Sequence, residues 1–560
     1  MANNAVTIND VPALSRQAVQ LQIQGEVDQP RRIYKVIVAL DPTNAAALCN
    51  LAVLYKGMGD RESAFVSNKK ALISHPGMPA VYNNLCNHYR EAGAIAASKA
   101  AATRCAVLSP LYADGYNNHA LTTTQAEEYA RSLHLCRKAM VVAPQSPDPM
   151  LNYANASFSS VRIREADKFY RRSLMVRRNH PATLSSFGVC LAAQGHLTQG
   201  IDLQEEVLAK SPEYEEAWFN LALYYLSIGR FSEGFKLYER GIGGRSAKSK
   251  RGNARRVAQP RWDGEPLDGK TILVTAEQGI GDEIMFGSLV VELQRVAKAV
   301  FLEVTPRLFP IVSRSLPGVT VFKYNPQRPS PYLSDRRINY SVPLGSLALY
   351  FRRSLATFGR QRPYLEPNPN LSRYFRNKYT TMAPGKLLVG ISWRGGTGAV
   401  RRDARSMSLE AMAGIITNDR IQAVSIQYGD HKKEVSAFNS AHPKGIYDDP
   451  EVDPLQSMDV AMAQIAAVDI VISVTNAGVH SAGALGVPCW IMVPYISDWR
   501  WTWGREDVIW YPGMRCFRQR SVGDWSHPLK EIASRLDGLL DGREHSRHRL
   551  APDLDWNGNL

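Results

Sequence analysis

Two patterns of hydrophobic and polar residues divide the 560-residue chain. Apolar and small residues recur at helical spacing through about the first 240 residues. After Trp262 short apolar runs alternate with helical stretches, the runs being TILVTA, AVFLEVT, GVTVFKY, KLLVGISW, IQAVSIQYG, DIVISV and PCWIMVP. Strands that alternate with helices indicate βαβ units and mainly parallel sheet. The pattern therefore predicts a helical array followed by an α/β region.

The helical region repeats every 34 residues. One column of the repeat contains Asn50, Asn84, Asn118, Asn152 and Asn220, with Ser186 in the gap. A second contains Pro42, Pro76, Pro110, Pro144 and Pro212, and a weaker third contains Gly25, Gly59, Gly93, Gly195 and Gly229. Helix, Gly turn, helix and Pro at this period form the tetratricopeptide (TPR) pattern, because Gly closes the first helix and Pro cannot continue the second. We predict an α-solenoid, a TPR superhelix with a concave groove, over 16–240, with degenerate repeats near 16–42 and 153–186.

The asparagine column has two interpretations. Asn is common at this position of TPR helices, so the column can be a property of the repeat alone. Alternatively, amides one repeat apart line the groove and grip the backbone of an extended polypeptide. The array resembles that of the nucleocytoplasmic O-GlcNAc transferases, in which such a ladder holds the acceptor. The resemblance implies an acceptor-peptide groove formed by Asn50, Asn84, Asn118, Asn152 and Asn220.

Composition narrows the classes of partner. The formal net charge of +15 favours acidic partners, such as nucleotides, acidic sugars, nucleic acid or anionic lipid. The seven cysteines are scattered and form no CxxC or zinc-like spacing, which is typical of a reduced chain. The N-terminus lacks the pattern of a signal peptide, and no apolar run has the length of a spanning helix. We expect a cytoplasmic protein without stable membrane insertion.

The segment VTAEQGIGDEIMFG (274–287) nearly matches a dinucleotide-binding loop. Gly279 and Gly281 follow an apolar strand, but Ile284 stands in place of the third glycine and Asp282 lies within the turn. Glu303 is the nearest candidate for a ribose-binding acid, and it lies about 20 residues on without a clear match. A nicotinamide enzyme is therefore the least favoured function.

Four segments carry a family resemblance: 260–286, 389–412, 424–429 and 468–519. They resemble the bacterial TPR-fused glycosyltransferases, whose catalytic part is similar to the lipopolysaccharide heptosyltransferases. The specific signal is the combination of E-Q-G-x-G-D with H-x-A-G-A-L-G-x-P. The resemblance covers roughly 260–540 and implies GT-B architecture, which consists of two Rossmann-like halves.

The predicted boundaries combine these patterns. Residues 241–261 contain seven Lys or Arg and no acid, and we interpret them as a flexible basic linker, the alternatives being a wall of an anion-binding cleft or a weak nucleic-acid patch. The complete prediction is an N-terminal tail (1–15), a TPR array (16–240), the linker (241–261), an acceptor-side half (262–375), a nucleotide-sugar half with a final helix (376–541) and a polar tail (542–560).

Sugar transfer to a hydroxyl needs a base, positive dipoles at the departing phosphate and a nucleotide pocket. Asp282 starts a helix after a Gly turn and matches the proposed base of the heptosyltransferases, so it is the first candidate for the catalytic base. Alternatively it caps its helix. Glu277 is the reserve candidate.

The donor site is expected in the turns after the later strands. Arg394 and Arg405, with Arg401 and Arg402 between them, have the guanidinium geometry that binds a phosphate or a sugar carboxylate. Alternatively these arginines form a solvated basic loop. Asn476, Ala477 and Gly478 are expected to present backbone N–H groups to a phosphate. The complete donor-binding prediction is Gly279, Gly281, Arg394, Arg405, Gln427, Asp459, Asn476, Ala477, Gly478 and His480.

Several of these residues have an alternative role. His480 matches the donor-site histidine of the family, although a lone His is more often structural. Gln427 is expected to face the nucleotide through its side chain or backbone, and Asp459 to lie near the ribose or only at a helix N-terminus. Many relatives have V-D-T where this chain has Val474-Thr475-Asn476, so the sugar preference does not carry over. The aromatic block 498–512 is expected mostly to pack the two halves together.

The function predicted is an inverting glycosyltransferase that moves a sugar from a nucleotide-sugar to Ser or Thr of a protein. No D-x-D follows a strand, so no metal is expected. We also expect no cofactor, because the nucleotide-sugar is a substrate, and no nucleic acid partner. The donor is a CMP-nonulosonic acid or an NDP-sugar, and flagellin is the acceptor that resemblance to flagellin-modifying enzymes implies. The alternatives are a lipopolysaccharide-type sugar transferase and a non-catalytic TPR scaffold.

Overall fold

A computed structural model describes residues 7–242, 251, 255–277, 279–395 and 405–542, with residue 360 described in its backbone alone. The chain divides after Cys190 into two compact units, which are considered separately below. Arg401 and Arg402 lie outside the described residues. The same is true of most of the predicted basic linker and polar tail, and of the first six residues of the N-terminal tail.

The first unit consists of successive helix pairs, which confirms the predicted TPR solenoid. Each pair is joined by a turn of three or four residues, and small buried residues such as Ala52, Ala71 and Ala102 bring its helices together. The helices are α1 Val11–Ile23, α2 Asp28–Leu40, α3 Ala45–Gly57, α4 Arg61–Ser74, α5 Pro79–Glu91, α6 Ile95–Leu108, α7 Ala113–Gln125, α8 Tyr129–Val142, α9 Pro147–Ser159 and α10 Ile163–Val176. A further helix, α11 Pro181–Ala193, crosses the division between the units.

The turn within each pair requires a left-handed residue. Gly59 and Gly93 have φ values of 81° and 77°, which glycine adopts without steric cost. In the two repeats that lack the glycine, Glu127 and Val161 take the same conformation, with φ values of 61° and 62°. The repeat packing therefore imposes this turn even on a β-branched residue.

The first helices of neighbouring pairs contact one another: α3 contacts α5, α5 contacts α7, and α7 contacts α9. They therefore form a continuous face of the first unit. The asparagine column lies on these helices, at Asn50, Asn84, Asn118 and Asn152, so the predicted ladder shares one face.

The second unit begins with three more helices, α12 Leu197–Lys210, α13 Glu215–Ser227 and α14 Phe231–Tyr238, and continues with two parallel sheets. The first sheet has the strand order β3-β2-β1-β4. Its strands are β1 Thr271–Thr275, β2 Ala299–Val304, β3 Val319–Lys323 and β4 Tyr340–Pro343. Its helices are α15 Ile280–Gly287, α16 Val290–Leu293, α17 Phe309–Ser315 and α18 Leu347–Phe351.

The second sheet has the order β6-β5-β7-β8-β9, and every neighbouring pair is parallel. Its strands are β5 Leu387–Ser392, β6 Ile421–Ser425, β7 Ile470–Val474, β8 Cys489–Val493 and β9 Met514–Arg518. Its helices are α19 Pro369–Met382, α20 Ala413–Ile416, α21 Lys432–Ala441, α22 Met458–Ala466, α23 Ala477–Leu485 and α24 Ser526–Leu540. The seven predicted strand runs all form strands, whereas β4 and β9 were not predicted.

The helix pair α13–α14 packs into the same core as the sheets. Phe231 and Phe235 are buried, and their rings contact Phe358 and Trp499. The compact units thus divide inside the predicted array rather than at 240, and α19 runs through the predicted boundary at 375/376. The domain limits themselves stay predictions. Among the described residues, no helix has the length and hydropathy needed to cross a membrane.

Candidate functional site

In both sheets the strand order reverses beside a strand that carries a predicted site turn. The reversal lies between β1 and β4 in the first sheet and between β5 and β7 in the second. The carboxyl ends of parallel strands at such a point leave a crevice in which ligands bind. The turn with Gly279 and Asp282 follows β1, and the turns with Arg394 and Asn476 follow β5 and β7. Most predicted site residues therefore lie where this topology favours binding.

Asp282 occupies the first turn of α15. Its Oδ2 accepts a long hydrogen bond of 3.5 Å from the backbone N–H of Gly279, so it contributes to capping the helix. Its Oδ1 accepts two hydrogen bonds from Arg500, one of them from Nε at 3.0 Å. One carboxylate oxygen is thus held by a guanidinium, and the other makes only the weak capping contact among the described residues.

Arg500 lies between two carboxylates. Besides Asp282, it binds Asp498 through Nη1 at 2.5 Å, and Asp498 lies 3.9 Å from Arg405. Burial acts to raise the pKa of Asp498, but Arg500 and Arg405 outweigh it and hold that pKa below its usual range. The Arg500 side chain is only 15% exposed, so these charges lie in a poorly solvated place. The four residues form an alternating charge cluster that joins α15 to the segment after β8.

Helices α15 and α23 contact each other at Gly281 and His480. A Cβ at Gly281 would lie 3.1 Å from Cδ2 of the His480 ring, closer than ordinary contact. The missing side chain of Gly281 therefore admits the histidine. His480 Nδ1 is 3.0 Å from the Tyr511 hydroxyl, and its ring stacks near Trp501. The predicted acceptor-side turn and donor-side helix are thus neighbours.

His480 is neutral at physiological pH. Burial, and after it the charge of Arg500, lowers the pKa of His480 to about 4, although Asp282 and Asp498 act to raise it. The imidazole is therefore available for hydrogen bonds to a ligand but supplies no positive charge. Any positive charge at this place comes from arginine.

The depressed pKa of His480 predicts pH-dependent stability. Because the unfolded chain takes up a proton near pH 6.5 and the folded chain only near pH 4, the stabilisation is complete above pH 6.5 and is lost as pH falls towards 4. We expect His480→Gln to remove about 3 kcal/mol of this pH dependence from the unfolding of the second unit. Urea titrations between pH 7 and pH 4 measure it, followed by Trp fluorescence for the second unit, to which all the tryptophans belong, and by helical circular dichroism for the first unit.

His119 provides the matched control, because burial also lowers its pKa to about 4 and it lies in the first unit. His119→Gln should flatten the pH dependence of the unfolding free energy of the first unit and leave that of the second unit unchanged. An unchanged slope in His480→Gln would contradict a neutral buried histidine.

Glu277, the reserve base, is buried in an ion-pair network. It accepts hydrogen bonds from Arg251 and, at 2.6 Å, from the backbone N–H of Gly345. Burial raises the pKa of Glu277 although Arg251 acts against it. Arg251 also binds Glu239 at 2.6 Å and is itself fully buried. Arg251 therefore departs from the expected solvated connector, because it fastens α14 to the loop after β1, whereas the linker as a whole stays a prediction.

The donor-side turns are tied to one another by side chains. Gln427 Oε1 accepts from Ser392 Oγ and from the backbone N–H groups of Trp393 and Arg394, at 2.9–3.0 Å. Asn476 donates to Ser392 Oγ at 2.7 Å and to the Arg394 carbonyl at 3.1 Å. The Gln427 side chain, which is buried, therefore shapes the turn after β5. Its contact with a nucleotide stays a prediction, as does that of Asn476.

The predicted backbone phosphate site is partly occupied by its own cap. The Asn476 side chain accepts from the backbone N–H of Gly478 at 2.9 Å, so that N–H is already paired. Ala477 begins α23 immediately before it. The expectation that Gly478 offers a free N–H to phosphate is not met in this structure.

The remaining predicted donor residues also have protein partners. Arg394 donates to the Asp430 carbonyl at 2.6 Å and lies 3.5 Å from Glu434. Asp459, in the first turn of α22, forms an ion pair with Arg314 of α17. This pair joins the helices of the two sheets, which favours the structural alternative for Asp459. Among the described residues, no three His, Cys, Asp or Glu side chains cluster as metal ligands.

In the aromatic block, Trp499, Trp501 and Trp510 are buried, and Trp499 and Trp510 contact Phe286 of α15. Trp503 is 38% exposed. Most of the block therefore packs the sheets together, as expected. Sequence reasoning missed Arg500 and Asp498, which lie inside this block. Their signal was the alternation of charged residues with tryptophan in DWRWTWGRED.

In the first unit, the column asparagines are half-buried and form a directional ladder. Nδ2 of Asn118 and of Asn152 each donates, at 2.8 Å, to Asn83 and Asn117 of the preceding repeat. Asn84 donates to Cys49 in the same way, and Asn50 donates to Tyr34. Within the described part of the first unit, their amide oxygens have no donor. Asn220 belongs to the second unit, so the structure places only four members of the column together.

Comparison with known proteins gives a distant relative. No protein-family model matches the chain. Protein FlbA of Caulobacter vibrioides is 28% identical over 330 residues, which are 57% of this chain and 54% of that protein. The chain thus spans about half the length of the curated relative that it matches.

The solved structures that this chain resembles include two bacterial proteins. PilF of Pseudomonas aeruginosa is 16% identical, covers 37% of this chain and 95% of its own, and has a TM-score of 0.32. A tetratricopeptide repeat protein of Parabacteroides merdae is 14% identical, covers 43% and 96%, and has a TM-score of 0.36. At these scores neither likeness carries an argument about function.

Proposed function

We propose that this chain is an inverting glycosyltransferase that moves a sugar from a nucleotide-sugar to a Ser or Thr hydroxyl of a protein. The observation that carries the proposal is the contact between the Gly279–Asp282 turn of the first sheet and His480 and Arg500 of the second. We interpret the two sheets as the Rossmann-like halves of a GT-B catalytic region. Their strand orders, each with its reversal beside a site turn, support this interpretation.

The proposed reaction uses Asp282 as the base. Its Oδ2, which makes only the 3.5 Å capping contact, accepts the proton of the acceptor hydroxyl. The hydroxyl oxygen attacks the anomeric carbon while the bond from that carbon to the nucleotide phosphate breaks, with inversion. Arg394, Arg405 and Arg500 supply positive charge for the departing phosphate, which helix N-termini alone would stabilise less. His480, being neutral, would contribute hydrogen bonding only.

The substrates follow from charge and from the repeat array. The net charge of +15 favours an acidic donor, such as a CMP-nonulosonic acid, and an NDP-sugar remains the second class. The TPR array recruits the acceptor polypeptide, for which flagellin is our candidate. Intact-mass measurement of proteins from cells with and without the chain tests the function. An adduct of one sugar mass that is found only in cells with the chain supports the proposed function.

A non-catalytic TPR scaffold is the second candidate, and one observation favours it. Arg500 holds Asp282 in an ion pair, as a structural carboxylate would be held. A scaffold predicts no sugar adduct with any version of the chain, together with retained binding of the partner protein. The two candidates are therefore separated by the same mass measurement.

The asparagine ladder gives a prediction about acceptor recruitment. We expect Asn84→Ala, Asn118→Ala and Asn152→Ala together to raise the KM for the protein acceptor by about 10- to 100-fold, because each lost hydrogen bond costs about 1 kcal/mol. The kcat should change little, since these residues lie outside the catalytic unit. Steady-state kinetics at saturating donor measure the split.

The control for the ladder carries three substitutions on exposed residues of the second helices, Glu62→Ala, Thr103→Ala and Arg164→Ala, which keep the net charge. Its KM and kcat for the protein acceptor should equal those of the unaltered chain. An unchanged KM in the ladder variant would show that the amides serve only the repeat packing, through the bonds to Asn83 and Asn117.

A further inference from the structure

The second helices of four consecutive repeats carry exposed aliphatic residues one repeat apart. These residues occupy the last turns of α4, α6, α8 and α10, and they are 64–82% exposed: Ile73, Val107, Val141 and Met175. A repeat packs its apolar side chains inward, and single exposed aliphatic residues are ordinary on a surface. Four exposed aliphatic residues at the same position of consecutive repeats form a column rather than a random scatter.

A column of basic residues lies three positions earlier on the same helices: Lys70, Arg104, Lys138 and Arg172. All four are exposed, and residues three apart share a face of a helix. Lys138 lies over the ring of Tyr116, and Arg172 lies over the ring of Phe169. Among the described residues, none of the four forms an ion pair with a carboxylate. We call the two columns together the basic–aliphatic ridge.

The helix ends that carry the ridge, and the loops after them, are basic in sequence. The stretches 66–78, 100–112, 134–146 and 168–180, which include the ends of these helices and the loops after them, hold ten Lys or Arg and no Asp or Glu. Acidic residues lie just outside these stretches: Asp114 and Asp148 each follow one of them by two residues, and Asp167, which pairs with Arg171, precedes the fourth. Positive charge and exposed aliphatic side chains are therefore concentrated on the same strip of the first unit.

We propose that the basic–aliphatic ridge binds peripherally to an anionic lipid bilayer. The lysines and arginines would contact headgroup phosphates, and the aliphatic side chains would enter the boundary with the acyl chains, which is the combination that interfacial membrane binding needs. A nucleic acid backbone offers nothing to the aliphatic column. A helical protein ligand needs a groove, whereas these aliphatic side chains protrude. The ridge lies on the second helices, so the first-helix face with the asparagine ladder stays available to an acceptor.

The test is cosedimentation of the full chain with vesicles of phosphatidylcholine containing about a third phosphatidylglycerol, at low and high salt. We expect binding that neutral phosphatidylcholine vesicles do not give. Substitution of Lys70, Arg104, Lys138 and Arg172 by Gln should weaken the partitioning by about 100-fold or more, since each basic residue near an anionic surface contributes about fivefold.

Two further variants separate lipid insertion from bulk charge. Ile73→Ser, Val107→Ser, Val141→Ser and Met175→Ser should weaken binding at unchanged net charge, and these exposed positions should leave the helical circular dichroism unaltered. A charge-matched control with Arg295, Lys298, Arg336 and Lys433 changed to Gln, all exposed in the second unit, should bind as the unaltered chain does. Equal loss in the control, no loss in the serine variant, or binding to poly-glutamate without binding to vesicles would overturn the proposal.

Discussion

Asp282→Asn should lower sugar transfer to the protein acceptor by about 100- to 10,000-fold, the range that removal of a general base produces. Asn has nearly the same shape, and its amide oxygen can still accept from Arg500, so the contact between α15 and the segment after β8 should persist. What is lost is the carboxylate oxygen Oδ2, which we propose accepts the proton. The measurement is the rate of adduct formation by intact mass at saturating donor.

The control for this variant is Asp507→Asn, which removes a carboxylate that is paired with Arg505 in the same segment but lies outside the candidate site. It should transfer sugar at the rate of the unaltered chain. Binding of CMP and UDP by both variants, followed by calorimetry, shows whether the donor site is intact. Unchanged transfer by Asp282→Asn would remove Asp282 as the base, and absence of an adduct with every version would favour the scaffold.

The periodic part of the fold could be predicted because its cause is local. A Gly turn and a Pro after the second helix recur every 34 residues, and each repeat contacts mainly its neighbours. The turns at Glu127 and Val161 show where this reasoning ends, since their conformation comes from the packing of the repeat and not from the residue. Similarly, β4 was missed because NYSVP is short and its place is decided by pairing with β1, 68 residues away.

The turns of the candidate site could be predicted from the sequence, but its ion pairs and helix caps could not. Apolar runs followed by Gly279 and Asn476 mark the ends of β1 and β7, so their positions followed from local pattern. The partner of Asp282 lies 218 residues away, in a segment whose tryptophans drew attention to packing alone. Gly478 was expected to serve a ligand, but the Asn476 side chain reaches its N–H first. Ion pairs and caps of this kind depend on tertiary distance, which sequence spacing does not report.

Arg500 is the residue whose loss should most disturb the second unit. It separates Asp282 and Asp498, and all three side chains are at most one-quarter exposed. Arg500→Met should leave Asp282 without its cation and Asp498 with only the longer 3.9 Å contact to Arg405, and removing one partner of a buried pair costs about 3–5 kcal/mol. We expect this decrease in the free energy of unfolding of the second unit, measured by urea titration at pH 7, while the transition of the first unit stays unchanged.

A rescue experiment shows whether Arg500→Met loses stability through unpaired charge or through lost packing. In the triple variant Arg500→Met, Asp282→Asn and Asp498→Asn no unpaired carboxylate remains, so more than half of the lost stability should return although the guanidinium is still absent. Arg500→Lys keeps the charge but lacks the forked guanidinium that donates to both carboxylates. Its free energy of unfolding should therefore lie between those of Arg500→Met and the unaltered chain. A triple variant as unstable as Arg500→Met would mean that the aliphatic stem against Trp499 matters more than the charge. If rescue is observed without transfer activity, the cluster holds the two sheets together independently of the proposed catalytic role of Asp282.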